Sequence, residues 1–178
     1  MGSEEQEAKL VADHLIAANL AGHDSHGIGM IPSYVQSWRL GSLQINHHAK
    51  IVKDAGAVVT LDGDRAFGQV AAYEAMTLGI EKARQHGIAA VALRNSHHIG
   101  RIGYWAEQCA AAGFVSVHFV SVVGIPMVAI VASAPIRSAW SFHERITSRC
   151  CLIMPPAPLH LAKPVSPGIK VCPYRQAA

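Results

Sequence analysis

Apolar residues recur at helical spacing over residues 4–20, at Ala8, Val11, Ala12, Leu15, Ile16, Ala17 and Ala18, and predict a first helix with Ser3 as its N-cap. Gly22 ends it, and His23-Asp24-Ser25-His26-Gly27 reads as a polar loop. A second helix is expected over 31–38, with Pro32 in the first turn, where a missing N–H costs little. The run 57–61 (Ala-Val-Val-Thr-Leu) predicts a strand that turns at Asp62-Gly63-Asp64. An amphipathic helix follows over 70–85, closed by His86-Gly87. The uninterrupted apolar run 88–93 predicts a buried strand, 104–112 a helix stopped by Gly113, and 114–123 a further strand. Helices and strands that alternate across short polar connections define an α/β class.

Composition narrows the picture. The chain has 178 residues, 51% of them hydrophobic and 15% charged, which suits one domain with a real core and excludes an intrinsically disordered protein. The longest stretch without Asp, Glu, Lys or Arg, residues 108–136, is broken by Gly113, His118, Gly124, Pro126 and Pro135, and no membrane association is expected. The start, Met1-Gly2-Ser3-Glu4-Glu5-Gln6-Glu7, is acidic where a signal peptide is basic and then apolar, and a cytoplasmic location is expected. Charge and proline are unevenly spread. Residues 1–123 hold 9 Lys+Arg, 11 Asp+Glu and one proline, whereas residues 124–178 hold 6 Lys+Arg, one acid (Glu144) and eight prolines. The positive charges of the tail are scattered among those prolines rather than set along a helical face, so no nucleic-acid partner is expected.

Two histidine loops hold the candidate chemistry. Asp24-Ser25-His26-Gly27 follows a helix, and Asn95-Ser96-His97-His98-Ile99-Gly100 follows a strand. Loops of this kind seat the sites of α/β proteins, and imidazole exchanges protons near neutral pH. With eleven histidines in the chain, each of them also fits a plain capping or loop role. No Cys-x-x-Cys or His-Glu-x-x-His spacing occurs, so no metal is expected, and neither a G-x-G-x-x-G nor a P-loop phosphate cradle is present.

At these loops the chain resembles a known family. Asp24-Ser25-His26-Gly27-Ile28 with Pro32 and Tyr34, Asp62-Gly63-Asp64 with Gly68-Gln69, and Asn95 through Gly100 with Gly103-Tyr104 are together similar to the malate/L-lactate dehydrogenase family. The resemblance covers residues 1–123 in order. It implies a non-Rossmann NAD(P)-dependent dehydrogenase fold, a mixed sheet with flanking helices. It also implies an NAD(P)H-dependent oxidoreductase that interconverts 2-oxo acids and 2-hydroxycarboxylates of the malate, lactate or hydroxyphenylpyruvate type, working as a homodimer. By the same resemblance His98 is the proton donor or acceptor at the substrate oxygen, with His26 as the second candidate. His26 sits where substrate and nicotinamide meet, Ser25 helps to hold the substrate, and Gly100, Arg101 and Ile102 line the cofactor. One position departs from the pattern: many relatives carry an arginine where this chain has Met30, which removes a bidentate carboxylate clamp and favours an apolar substrate.

The resemblance implies an incomplete fold. The chain begins without the family's first helix and leaves the pattern near Ala129, before a G-T-N-P loop and a D-(Y/F)-A-T-S cofactor segment. That segment is hidden in the tail. Residues 152–164, back-translated with permitted codons and read two bases later, give D-Y-A-T-S-A-I-A-F-G-K-T. Residues 1–129 are therefore expected to form the N-terminal part of the dehydrogenase fold. Residues 130–178 are expected to be a frameshifted, disordered tail in which Cys150, Cys151 and Cys172 carry no disulfide or metal role. A chain so shortened is expected to be inactive. The alternatives are a working small module made of residues 1–123 and a basic-tailed binding protein without catalysis.

Overall fold

The computed structural model describes residues 1–120 and a strand at 149–154. Helix α1 (Glu5–Leu20) leads through two short 3-10 turns (Asp24–His26 and Ile28–Met30) into α2 (Ile31–Arg39). An antiparallel pair follows, β1 (Lys50–Ala55) and β2 (Val58–Asp62), then α3 (Gly68–His86), β3 (Ala89–Arg94), α4 (Ile102–Ala111), β4 (Val115–Phe119) and β5 (Arg149–Met154). The five strands form one mixed sheet in the order β1-β2-β3-β5-β4. β2 and β3 are parallel, with Leu61 opposite Leu93 and Asp62 opposite Arg94, while β5 runs antiparallel to both β3 and β4. No helix among the described residues is long and apolar enough to cross a membrane.

The predicted elements are present, with differences that tertiary contacts explain. β1 has no counterpart in the sequence reading: every residue of it is exposed, so no alternation of apolar and polar positions marks it. It is an edge strand guarded by Lys50 and Lys53, and its pairing with β2 rests on main-chain bonds. The N-cap of α1 is Glu4 rather than Ser3, and no side chain caps it. Instead Asn46 fastens the helix start from a distance, accepting the Glu4 N–H at 2.8 Å while its own N–H donates to Glu7 Oε1 at 2.9 Å. The buried face of α1 also differs from the apolar pattern. Ile16 is exposed, while Glu7 and His14 are buried beside Leu15 and Ala18.

α3 starts two residues earlier than its periodicity predicts and ends as expected, with Gly87 at φ +77° in the left-handed conformation and its N–H on the Ala83 carbonyl. Its apolar side, with Ala71, Ala75, Met76 and Ile80, packs with Val59, Leu61, Val91, Leu93, Ile99 and Trp105 into the larger core. A smaller core of Leu15, Tyr34, Leu43, Phe67 and Val70 joins α1 and α2 to the start of α3. The expected strand 114–123 is β4 as far as Phe119, and residues 121–123 lie outside the described residues. Within the segment 130–178, residues 149–154 form β5, and the others lie outside the described residues.

Candidate active site

The first loop is built off the end of α1. Gly22 at φ +73° turns the chain, the His23 N–H returns to the Ala18 carbonyl, and the 3-10 turn brings the His26 N–H onto the His23 carbonyl. Asn19 then holds the loop from inside. Its Nδ2 donates to Asp24 Oδ1 at 2.5 Å and its Oδ1 accepts the Ile28 N–H at 2.8 Å. A β-carbon at Gly27 would overlap that asparagine side chain, which is why the residue after His26 is glycine.

The second loop leaves β3 through Asn95, which takes a left-handed φ of +50° and anchors its Nδ2 on Asp62 Oδ1 at 2.8 Å. The loop is pinned to the β2–α3 connection by the Arg65 N–H on the Asn95 carbonyl and the His97 N–H on the Ala66 carbonyl. Gly68 lies against the His97 and His98 carbonyls so closely that a side chain there would collide with them. At the far end Trp105 Nε1 donates to the Ile99 carbonyl at 3.0 Å, and the Arg101 N–H donates to His14 Nε2 at 2.8 Å. Gly100, at φ +73°, is the point at which His14 crosses the loop, and a β-carbon there would run into its ring.

These anchors bring together histidines 72 positions apart in the chain. The His26 and His98 rings lie 5.2 Å apart, centroid to centroid. Ser25 Oγ is 2.9 Å from His26 Nδ1. His98 Nδ1 lies 2.8 Å from the Tyr34 hydroxyl, which also accepts from Gln69 Nε2 at 2.8 Å. Burial holds His26 below its ordinary pKa, assisted by the neighbouring His23, so its ring is neutral at pH 7. Burial pushes the Tyr34 phenol above its ordinary value against the opposing bond from Gln69, so the phenol keeps its proton. The pair therefore offers one neutral imidazole and one imidazole tied to a phenol, an arrangement suited to moving a proton at an oxygen held between them.

Gly100, Arg101 and Ile102 follow His98 along the chain and differ in what they offer a nicotinamide cofactor. The Arg101 N–H is taken by His14, and the guanidinium forms a two-pronged pair with Glu107 at 2.8 and 2.7 Å. In the first turn of α4 the Tyr104 N–H reaches the Arg101 carbonyl at 3.2 Å, and the Ile102 and Gly103 amides, with no acceptor inside their own helix, suit a carboxamide or phosphate oxygen. The donor set thus fits such a group through the backbone at the start of α4 rather than through the N–H or the side chain of Arg101. His14 and Asn19 escaped the sequence reading. A signal for His14 was present, since it falls on the same stripe of α1 as Val11, Leu15 and Ala18, where a polar residue needs a partner.

The fold is a mixed sheet with flanking helices, and the chain belongs to the malate/L-lactate dehydrogenase family, whose profile matches residues 1–136. Over 129 residues it is 92% identical to hydroxycarboxylate dehydrogenase B of Escherichia coli O157:H7, an alignment that takes in 72% of this chain and 36% of that protein. It is 44% identical to malate dehydrogenase of Pyrococcus abyssi over 66% of this chain and 32% of that one. Among solved structures, a putative malate/lactate dehydrogenase from E. coli matches with a TM-score of 0.68 at 90% identity, over 71% of this chain and 35% of that one. Sulfolactate dehydrogenase from Methanocaldococcus jannaschii matches with a TM-score of 0.64 at 38% identity, over 66% and 34% of the two chains. The chain spans about a third of the length of the curated relatives it matches.

Proposed function

We propose that residues 1–129 carry the acid–base half of an NAD(P)H-dependent oxidoreductase that interconverts 2-oxo acids and 2-hydroxycarboxylates, and that the 178-residue chain is inactive by itself. The observation that carries this reading is the convergence of His26 and His98, 5.2 Å apart, on loops that three other elements hold in place. Bound NADH or NADPH supplies the hydride for C2 of the substrate. His98 moves the proton at the C2 oxygen, giving it during reduction and taking it back during oxidation. Neutral His26, steadied by Ser25 Oγ, faces the same oxygen from the other side and orients it, and Ser25 adds a hydroxyl for the substrate. Gly100, Arg101 and Ile102 line the cofactor, with the hydrogen bonds coming from the backbone and the start of α4. Met30, at the position where many relatives carry an arginine, suits a substrate with an apolar side chain. The reading carries with it a homodimeric assembly and a cytoplasmic location.

The loss of activity follows from the frame. Residues from about 130 onward are proposed to be an out-of-frame translation of the family's cofactor-binding segment. β5 is compatible with that origin, because strand pairing is a main-chain matter and an unselected stretch can still fill the gap between two strands. The test compares NADPH oxidation with phenylpyruvate by the 178-residue chain and by a version continued in the restored frame. No turnover is expected from the first and steady turnover from the second. His98→Ala in the restored version should lower kcat about 10²- to 10⁴-fold. Unchanged turnover in that variant would remove His98 from its role, and turnover by the 178-residue chain would refute its inactivity.

A further inference from the structure

Gln69 stands in the first turn of α3 and is 1% exposed, yet its amide lies at the head of a line that ends on the proposed acid–base group. The links are Gln69 Nε2 to the Tyr34 hydroxyl and the Tyr34 hydroxyl to His98 Nδ1, each 2.8 Å. A phenol has a single proton to give. With the amide N–H bound to its oxygen, that proton points to His98, so Nδ1 must accept. A neutral imidazole that accepts at Nδ1 carries its own proton on Nε2. We propose that Gln69 is a positioning residue that, through Tyr34, selects the Nε2–H tautomer of His98.

The reverse arrangement is the one to exclude. Turning the amide over would place Oε1 on the hydroxyl and reverse both links: Tyr34 would donate to Gln69, and His98 Nδ1–H would donate to Tyr34. In the arrangement present, the amide atom buried without a partner is Oε1. After the turn it would be the NH2 group, with both protons unbonded where the present orientation leaves one. A buried donor left unpaired costs more than an under-used carbonyl oxygen, so the present orientation is the more stable one. The Tyr34 phenol, held protonated by its burial, keeps the proton the relay needs.

The inference rests on His98 as the acid–base group and adds a direction to it. With its proton on Nε2, His98 meets the carbonyl oxygen of a 2-oxo acid as a hydrogen-bond donor. To accept the proton of a hydroxy acid at the same nitrogen it must first change tautomer. Gln69 thereby biases the site toward the oxo-acid partner.

The test is nuclear magnetic resonance of the 178-residue chain labelled with ¹⁵N-histidine, at a pH where the imidazoles are neutral and without substrate. The His98 signals are assigned by their loss in His98→Gln. His98 is expected to show a proton-free Nδ1 and a proton-bearing Nε2, this tautomer exceeding the Nδ1–H one about tenfold. Gln69→Glu replaces the donor by a carboxylate that can only accept. The Tyr34 proton then turns away from His98, and the tautomer should reverse. In Gln69→Met, which keeps the bulk and removes the donor, the two forms should mix, and this variant decides the matter if the glutamate variant does not fold. A proton on Nδ1 in the unmodified chain, or the same tautomer with and without the Gln69 amide, overturns the proposal. The readout needs no turnover, so it stands or falls apart from the activity of His98.

Discussion

His14 occupies a position that an apolar side chain would normally fill, and it is 1% exposed between Tyr104 and Trp105. Burial, with a smaller push from Arg101 and then His26, lowers its pKa from 6.5 to about 4. The neutral ring is the one that can accept the Arg101 N–H at Nε2. The sign of the pH effect follows. Between pH 6.5 and about 4 the unfolded chain binds a proton that the folded chain refuses, so stability is full above 6.5 and falls as pH drops through that window. The contribution is on the order of 3 kcal/mol. His118, buried in β4 with a pKa also near 4, adds a parallel slope. Urea midpoints measured from pH 7 to pH 4 should fall steadily for the unmodified chain and less steeply for His14→Gln. Equal slopes in the two would show that His14 is not the buried neutral group.

At the scale of elements, α1 is the piece that joins the two loops. Asn19 holds the 24–28 turn and His14 holds the 99–101 segment, both from one helix. The Asn19–Gly27 contact makes a coupled pair, because a methyl group at position 27 can be admitted only if Asn19 gives up its bonds. Asn19→Ala and Gly27→Ala should each cost about 1–2 kcal/mol, and the double variant should cost little more than either alone. Additive losses in denaturant titrations would show that the two residues do not share one interaction. The periodic signals of α1, α3 and α4 and the unbroken apolar run of β3 made these elements legible in the sequence, since each buries apolar side chains. β1 was not legible because it buries nothing, and the departure of Ser3 from its expected capping role arose because Asn46, some forty residues away, does the fastening.

Across the whole molecule, β4 sits at the end of the sheet with β5 as its ladder among the described residues. Ending the chain after residue 148 removes that ladder. Hydrogen exchange should then show lost protection across β4, while β2 and β3, which pair with each other, keep theirs. Undiminished protection at Ser116 and Val117 would mean that β4 is held without β5.

The order of the helices and of β2, β3 and β4, the α/β class, the family and the two histidine loops were in the sequence, because local periodicity and short motifs are properties of neighbouring residues. Composition likewise exposed the break beyond residue 123, where proline and positive charge replace the balanced mixture before it. What only the tertiary structure decided is how those loops meet. The 5.2 Å approach of His26 and His98, the passage of His14 across Gly100 and the line from Gln69 through Tyr34 each join residues far apart in the chain. Contacts of that kind leave no periodic trace, since a hydrogen bond between distant residues constrains two positions and nothing between them.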